Sequence, residues 1–176
     1  MSIDWQPKVR DPQRLAAVNR SGLIGIVPED EFDRLIELAV SLIGVPRGVI
    51  SLVDSARTTA MSSVGFPEGL ALFAPIEVSF CRLVVSSGCP FIVEDAPNDP
   101  RTVGDAAIEA FSAVSWAGYP IEDADGAVLG AFCVMDSCPH GWTANDVQVL
   151  ATLAKAASTE IALRRSQAEL RAAREG

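Results

Sequence analysis

The residues of this chain whose types could support chemistry are four cysteines, at 81, 89, 133 and 138, one histidine, His140, and a short acidic loop. Cys81 stands beside Arg82, and a neighbouring cation is one of the settings that lowers a thiol pKa. Free cysteine is also a small buried hydrophobe, and packing is the expected role of Cys81. A zinc site drawn from Cys133, Cys138, His140 and a distant cysteine fails on geometry. Cys133 lies inside the apolar run VLGAFCVM, and the paired short spacings of structural zinc ligands are absent. Haem needs a ligand presented inside a pocket, whereas His140 sits in a Cys-Pro-His-Gly turn that should face solvent. No metal and no cofactor are expected. Asp95, Asn98 and Asp99 precede Pro100 and Arg101, and such a run satisfies its own backbone as a turn. No phosphate-cradling GxxxxGK loop is present.

The elements that must position these residues fit one domain with a helical extension, because 176 residues bury a core without staples or metal. Hydrophobic residues make up 49 % and charged residues 21 %, a globular composition. The net charge of -9 argues against nucleic acid or an anionic membrane surface as partner, since both select basic patches. No run reaches the roughly 18 apolar residues of a membrane span, and the N-terminus lacks the apolar core of a signal peptide. A cytoplasmic location with reduced thiols is expected.

Asp11-Pro12 starts a short lead-in helix carrying Leu15, Ala16 and Val18. Pro28, with Glu29, Asp30 and Glu31, opens a stronger one, in which Phe32, Leu35, Ile36, Ala39, Leu42 and Ile43 recur at helical spacing before Gly44 and Pro46. Strands are expected over 48–54 and 58–65 as a hairpin, over 91–94, over 115–121 and over 128–135, the last two joined by the Asp-Ala-Asp-Gly turn at 123–126. The run 79–87 reads as a helix stopped by Gly88, and 106–113 as a helical turn. Thr143 caps a long final helix with Val147, Leu150, Ala154, Ala157 and Ile161 along one stripe. Beyond Leu163 that stripe narrows to Ala168 and Leu170 among charged residues. Hairpins between terminal helices indicate an α+β fold: an antiparallel sheet of five to six strands with the terminal helices packed on one face.

The segments DPQRLAAVNRSGL, EFDRLIELAVSLIGVP, GVISLVD, VSFCRLVVSSGCPFIVEDAPNDPR, WAGYPI, DGAVLGAFCVMD and WTANDVQVLATLAKA, in this order, resemble the GAF domain, over roughly residues 11–163. The chain looks like the bacterial GAF modules that precede histidine kinase, diguanylate cyclase or phosphatase output domains. The resemblance implies a ligand pocket on one side of the sheet and a helical bundle on the other. It implies a sensor module that binds a small, unknown ligand or a partner and does no chemistry. It divides the chain into a lead-in helix at 1–22, the domain proper at 23–163 and a signalling-helix stub at 164–176. Pocket candidates carried by the resemblance are Phe80, Cys81, Glu94, Asp95, Asp99, Trp116 and Tyr119. Alternation puts Trp116 and Gly118 on one face of their strand and Ala117 and Tyr119 on the other, without saying which face holds the pocket.

Two ligand classes known in GAF domains find no support in the residues. Bilin-bearing domains set a histidine beside the anchoring cysteine, and here Cys81 is followed by Arg82. Cyclic-nucleotide domains carry an Asn-Lys-x-Phe-x3-Asp-Glu motif that is absent. The alternative from another class is a thiol-dependent enzyme similar to the free methionine-R-sulfoxide reductases, using Cys81 and Cys89. Residues 104–115 lack the third cysteine that family carries. Leu163 and Leu170, seven residues apart, suggest a seam through which two copies form a homodimer by their terminal helices.

Overall fold

Strands β1 (Arg47–Val53) and β2 (Arg57–Val64) form one hairpin, and β5 (Ser115–Glu122) and β6 (Val128–Asp136) form another. In the computed structural model, which describes residues 4–24, 30–67 and 73–175, β1 and β6 join the two hairpins side by side. β3 (Phe73–Pro75) adds to the outer edge of β2 and β4 (Phe91–Val93) to that of β5. The strand order is β3-β2-β1-β6-β5-β4, and every pairing is antiparallel. All five strands expected from the sequence are present. The sixth, β3, is three residues of Phe-Ala-Pro, too short to show a period, and pairing with Arg57–Thr59 is what makes it a strand. The turn between β5 and β6 is held by the Asp123 carboxylate, which accepts from the Asp125 and Ala127 N–H groups at 3.0 and 2.9 Å.

Helices cover both faces of this sheet. On one, α2 (Pro12–Arg20), α3 (Asp30–Ile43) and α6 (Ala144–Glu175) bury Val18, Phe32, Ile36, Leu150 and Ile161 against Ile50, Leu52, Phe132 and Val134. On the other, α1 (Gln6–Val9), α4 (Cys81–Ser87) and α5 (Ala106–Phe111) pack Val9, Val84 and Ala107 against Val53, Trp116, Ala131 and Cys133. The lead-in thus comprises two helices where the sequence suggests one, and α1 lies on the face opposite to α2. Arg14 of α2 fixes this crossing: its guanidinium donates to the carbonyls of Val9, at 2.6 and 3.0 Å, and Val53, at 2.8 Å.

The helix ends follow local chemistry. Asp11 accepts from the Arg14 N–H at 2.9 Å, ahead of Pro12 at the first helical position. Gly88 closes α4 with φ of 65°, the left-handed region that glycine adopts without a steric penalty. Thr143 and Asp146 form a reciprocal capping box on α6, each side chain accepting from the other's N–H at 3.1 and 2.9 Å. Asp30, Glu31 and Asp33 occupy the first turn of α3, while Pro28 and Glu29, expected to open it, lie outside the described residues. α6 continues as helix to Glu175, roughly 18 Å beyond Leu163 at the α-helical rise. No described helix is long and apolar enough to cross a membrane.

Candidate functional site

A cavity of about 270 Å³, partly open to solvent, lies on the sheet face that carries α4 and α5. Strands β1, β2, β5 and β6 floor it with Val49, Ala60, Trp116 and Cys133, and α4 and α5 wall it with Phe80, Cys81, Ala107 and Phe111. None of its lining side chains, among the described residues, is charged. Trp116 is tied into an aromatic cluster with Phe80, at 5.8 Å between ring centroids and edge-on, and with Phe91 at 6.0 Å. Its indole has room because position 118 is glycine: a Cβ there would sit 2.3 Å from the ring. α4 and α5 are bound together by the ion pair of Arg82 with Asp105, whose other oxygen caps α5 through the Ala107 N–H at 3.0 Å.

Polar groups in the wall are few. The Thr58 hydroxyl, on a residue 8 % exposed, is buried without a hydrogen-bond partner. Cys81 and Cys133, both free and buried, have hydrogen-bonded side chains. The Ser51 hydroxyl donates to the Cys81 sulfur at 3.3 Å, and the Cys133 thiol lies 3.5 Å from the Val49 carbonyl. The hydrogen bond from Cys133 is the largest influence on Cys81 and outweighs its burial, lowering that thiol to about 7 with help from Ser51 and Ser79. The same contact and burial hold Cys133 well above the ordinary thiol range. Cys81 is therefore the more acidic thiol of the two, and Cys133 the one that keeps its proton. Arg82, the residue beside Cys81 in sequence, points instead to Asp105 and the Ser79 carbonyl.

Three of the expected pocket residues, Phe80, Cys81 and Trp116, line this cavity together. Tyr119 packs toward the opposite core, as strand alternation from Trp116 requires. Glu94, Asp95 and Asp99 are not among the lining residues. Asp95 takes a hydrogen bond from Asn98 at 2.8 Å, and the Glu94 carbonyl accepts from the His140 N–H at 3.1 Å. Asp99 grips Arg101, whose hydrogen bonds hold its carboxyl below the usual range. Arg101 in turn donates to the Ile92 carbonyl at 2.9 Å and lies over the Phe91 ring. These acids build the loop.

Cys89 follows the Gly88 cap at the far end of α4 and is exposed, so the Cys81 and Cys89 sulfurs belong to opposite ends of the helix, roughly 12 Å of rise apart. The thiol that meets Cys81 is Cys133. Periodicity places Cys133 on a buried strand, but its meeting with α4 is a contact between layers that no spacing encodes. The His140 ring lies tilted against Trp142, at 4.3 Å between centroids, and its Nε2 is 3.7 Å from Asp146. Among the described residues, no cluster of three or more histidine, cysteine or acidic side chains could hold a metal ion.

A family model described as GAF domain matches residues 27–161. A cyclic di-GMP phosphodiesterase from Pseudomonas aeruginosa is 30 % identical over 155 residues, covering 87 % of this chain but 26 % of that protein. The chain thus spans about a quarter of the length of that relative. Among solved structures, the GAF domain of an Acinetobacter phosphoenolpyruvate-protein phosphotransferase superposes with a TM-score of 0.65 at 19 % identity, covering 90 % of this chain and 99 % of that one. The free methionine-R-sulfoxide reductase from Neisseria meningitidis gives 0.63 at 16 % identity, covering 93 % and 91 %. At such identities the two structures speak for the fold alone.

Proposed function

Because the chain belongs to the GAF domain family, we propose that it is a bacterial sensor module, a binding domain without turnover, that takes a small ligand into the cavity. In this reading its occupancy passes through the terminal helices to an output domain or to a kinase or phosphatase partner, in the cytoplasm. The observation that carries the reading is the cavity's make-up: an aromatic, uncharged wall with one buried hydroxyl, Thr58, left unpaired. A buried hydroxyl without a partner costs roughly 1–3 kcal/mol, which a ligand with a polar atom at that point would recover. Phe80 and Trp116 offer ring faces and edges, and Cys81 a polarisable sulfur. An uncharged aromatic or heteroaromatic ligand fits this lining. A phosphorylated one would bring unpaired charge against it.

The division into a lead-in at 1–22, a domain at 23–163 and a stub at 164–176 belongs to the same proposal. Leu163 and Leu170 are 51 % and 60 % exposed on a helix that continues past the core. A second copy laid along that stripe would bury them in a homodimeric bundle. The net charge of -9 disfavours nucleic acid or an anionic membrane as partner.

Native mass spectrometry of the protein as purified, followed by thermal unfolding with indole as an uncharged heteroaromatic probe, tests the ligand reading. A bound small molecule, or a rise in Tm with indole that is lost in Ala60→Phe, is expected. No adduct and an unchanged Tm would reject the cavity as a ligand site.

A further inference from the structure

Cys81 and Cys133 come from different layers, the start of α4 and the middle of β6, and both line the cavity. Their residues are 4 % and 1 % exposed, yet the open cavity gives a small solute a route to both sulfurs. The groups facing Cys81 are hydrogen-bond donors: Ser51 from β1, Ser79 from the preceding turn and Cys133 from β6. Cys133 in turn holds its own proton more tightly and has the Trp116 side chain as a further hydrogen-bond partner. Two neighbouring buried thiols in one cavity wall, one more acidic and one that keeps its proton, are the elements of a peroxide-reactive couple.

We propose that Cys81 and Cys133 form a two-electron redox couple in the cavity wall, oxidised by hydrogen peroxide to a disulfide that ties α4 to β6. This goes beyond ligand binding and needs no ligand. In the first step the Cys81 thiolate attacks one peroxide oxygen. The S–O bond forms, the O–O bond breaks, and the departing hydroxide becomes water with the proton that the Cys81 thiol released on ionising, leaving a sulfenic acid. In the second step Cys133 attacks the Cys81 sulfur. The S–S bond forms, the S–O bond breaks, and the leaving hydroxide takes the Cys133 proton. The sum is two thiols and one hydrogen peroxide giving one disulfide and two waters. An uncharged wall suits this oxidant over charged, bulkier disulfides. The product, with its S–S bond of about 2 Å, replaces the hydrogen bond and clamps helix to strand, so that the redox state also sets the cavity's shape.

The test is stoichiometric peroxide on the reduced full chain, quenched by alkylation and mapped by peptide mass spectrometry, in the unsubstituted protein and in a Cys89→Ser/Cys138→Ser variant. Loss of two of the four thiols, a Cys81–Cys133 linked peptide in both proteins and reversal by dithiothreitol are expected. In Cys133→Ser, a dimedone-type probe should trap sulfenic acid on Cys81. Should that variant fail to fold, the map of the unsubstituted protein decides alone. Oxidation confined to Cys89 and Cys138, Cys81 linked to either of them, or Cys81 passing to sulfinic acid without a link would overturn the proposal.

Discussion

The Trp116 indole occupies the space above Gly118, two residues along the same strand, where a Cβ would stand 2.3 Å from Cη2 of the ring. Because Gly118 pairs with Cys133 across β5 and β6, the same ring reaches the sulfur that floors the cavity. Gly118→Ala should therefore displace Trp116, costing about 1–3 kcal/mol through forced repacking and reshaping the pocket. Denaturant unfolding together with the Trp fluorescence maximum checks this, and an unchanged stability would mean that the ring has another place to go.

Thr58→Val should leave the ligand-free protein as stable as before or more so, because it removes a buried hydroxyl that has no partner and keeps the side chain's volume. Thermal unfolding of protein freed of adducts measures it. A clear fall in Tm would show that the hydroxyl is satisfied in the ligand-free state.

Alkylation of Cys81 should accelerate as pH rises through about 7, where its proton is lost, while Cys133, whose proton is held more tightly, should lag. The reactive form is the thiolate, so the rate is low below that value and levels off above it. In Cys133→Ala the donor that lowers Cys81 is gone and burial, which raises it, remains, so the midpoint should move upward. Iodoacetamide rates resolved by residue across pH 5 to 9 decide the point; a midpoint unmoved in Cys133→Ala would dissolve the coupling.

Leu150 is wholly buried, and Leu150→Ala should cost roughly 2–5 kcal/mol of stability. Ile161 is only 2 % exposed, so Ile161→Asp would damage the chain's own core and would not report on dimers. Leu163→Asp with Leu170→Asp should instead keep the fold and shift the oligomer toward monomer. Light scattering at several concentrations, alongside circular dichroism, separates the two effects; a monomer at all concentrations before substitution would reject the bundle.

The sequence by itself determined what depends on local period and local chemistry. Short apolar runs between turn residues marked β1, β5 and β6, helical spacing marked α3 and α6, and Asp11, Gly88 and Thr143 marked helix ends because each satisfies backbone groups within a few residues of itself. The turn character of Asp95 and Asp99 was legible for the same reason. Tertiary structure decided the rest. β3 exists only as an edge on β2, and α1 lies where Arg14 holds it, on the face away from α2. Which face of β5 meets a cavity turned on where α4 and α5 pack, so Trp116 could be told from Tyr119 but not assigned. Arg82, adjacent to Cys81 in the chain, proved to serve Asp105, and Cys133, far along the chain, proved to be the thiol that Cys81 meets. Neighbours along the chain are set by covalent geometry. Neighbours across layers are set by how apolar faces close on one another, a property of the whole sequence that no short segment carries.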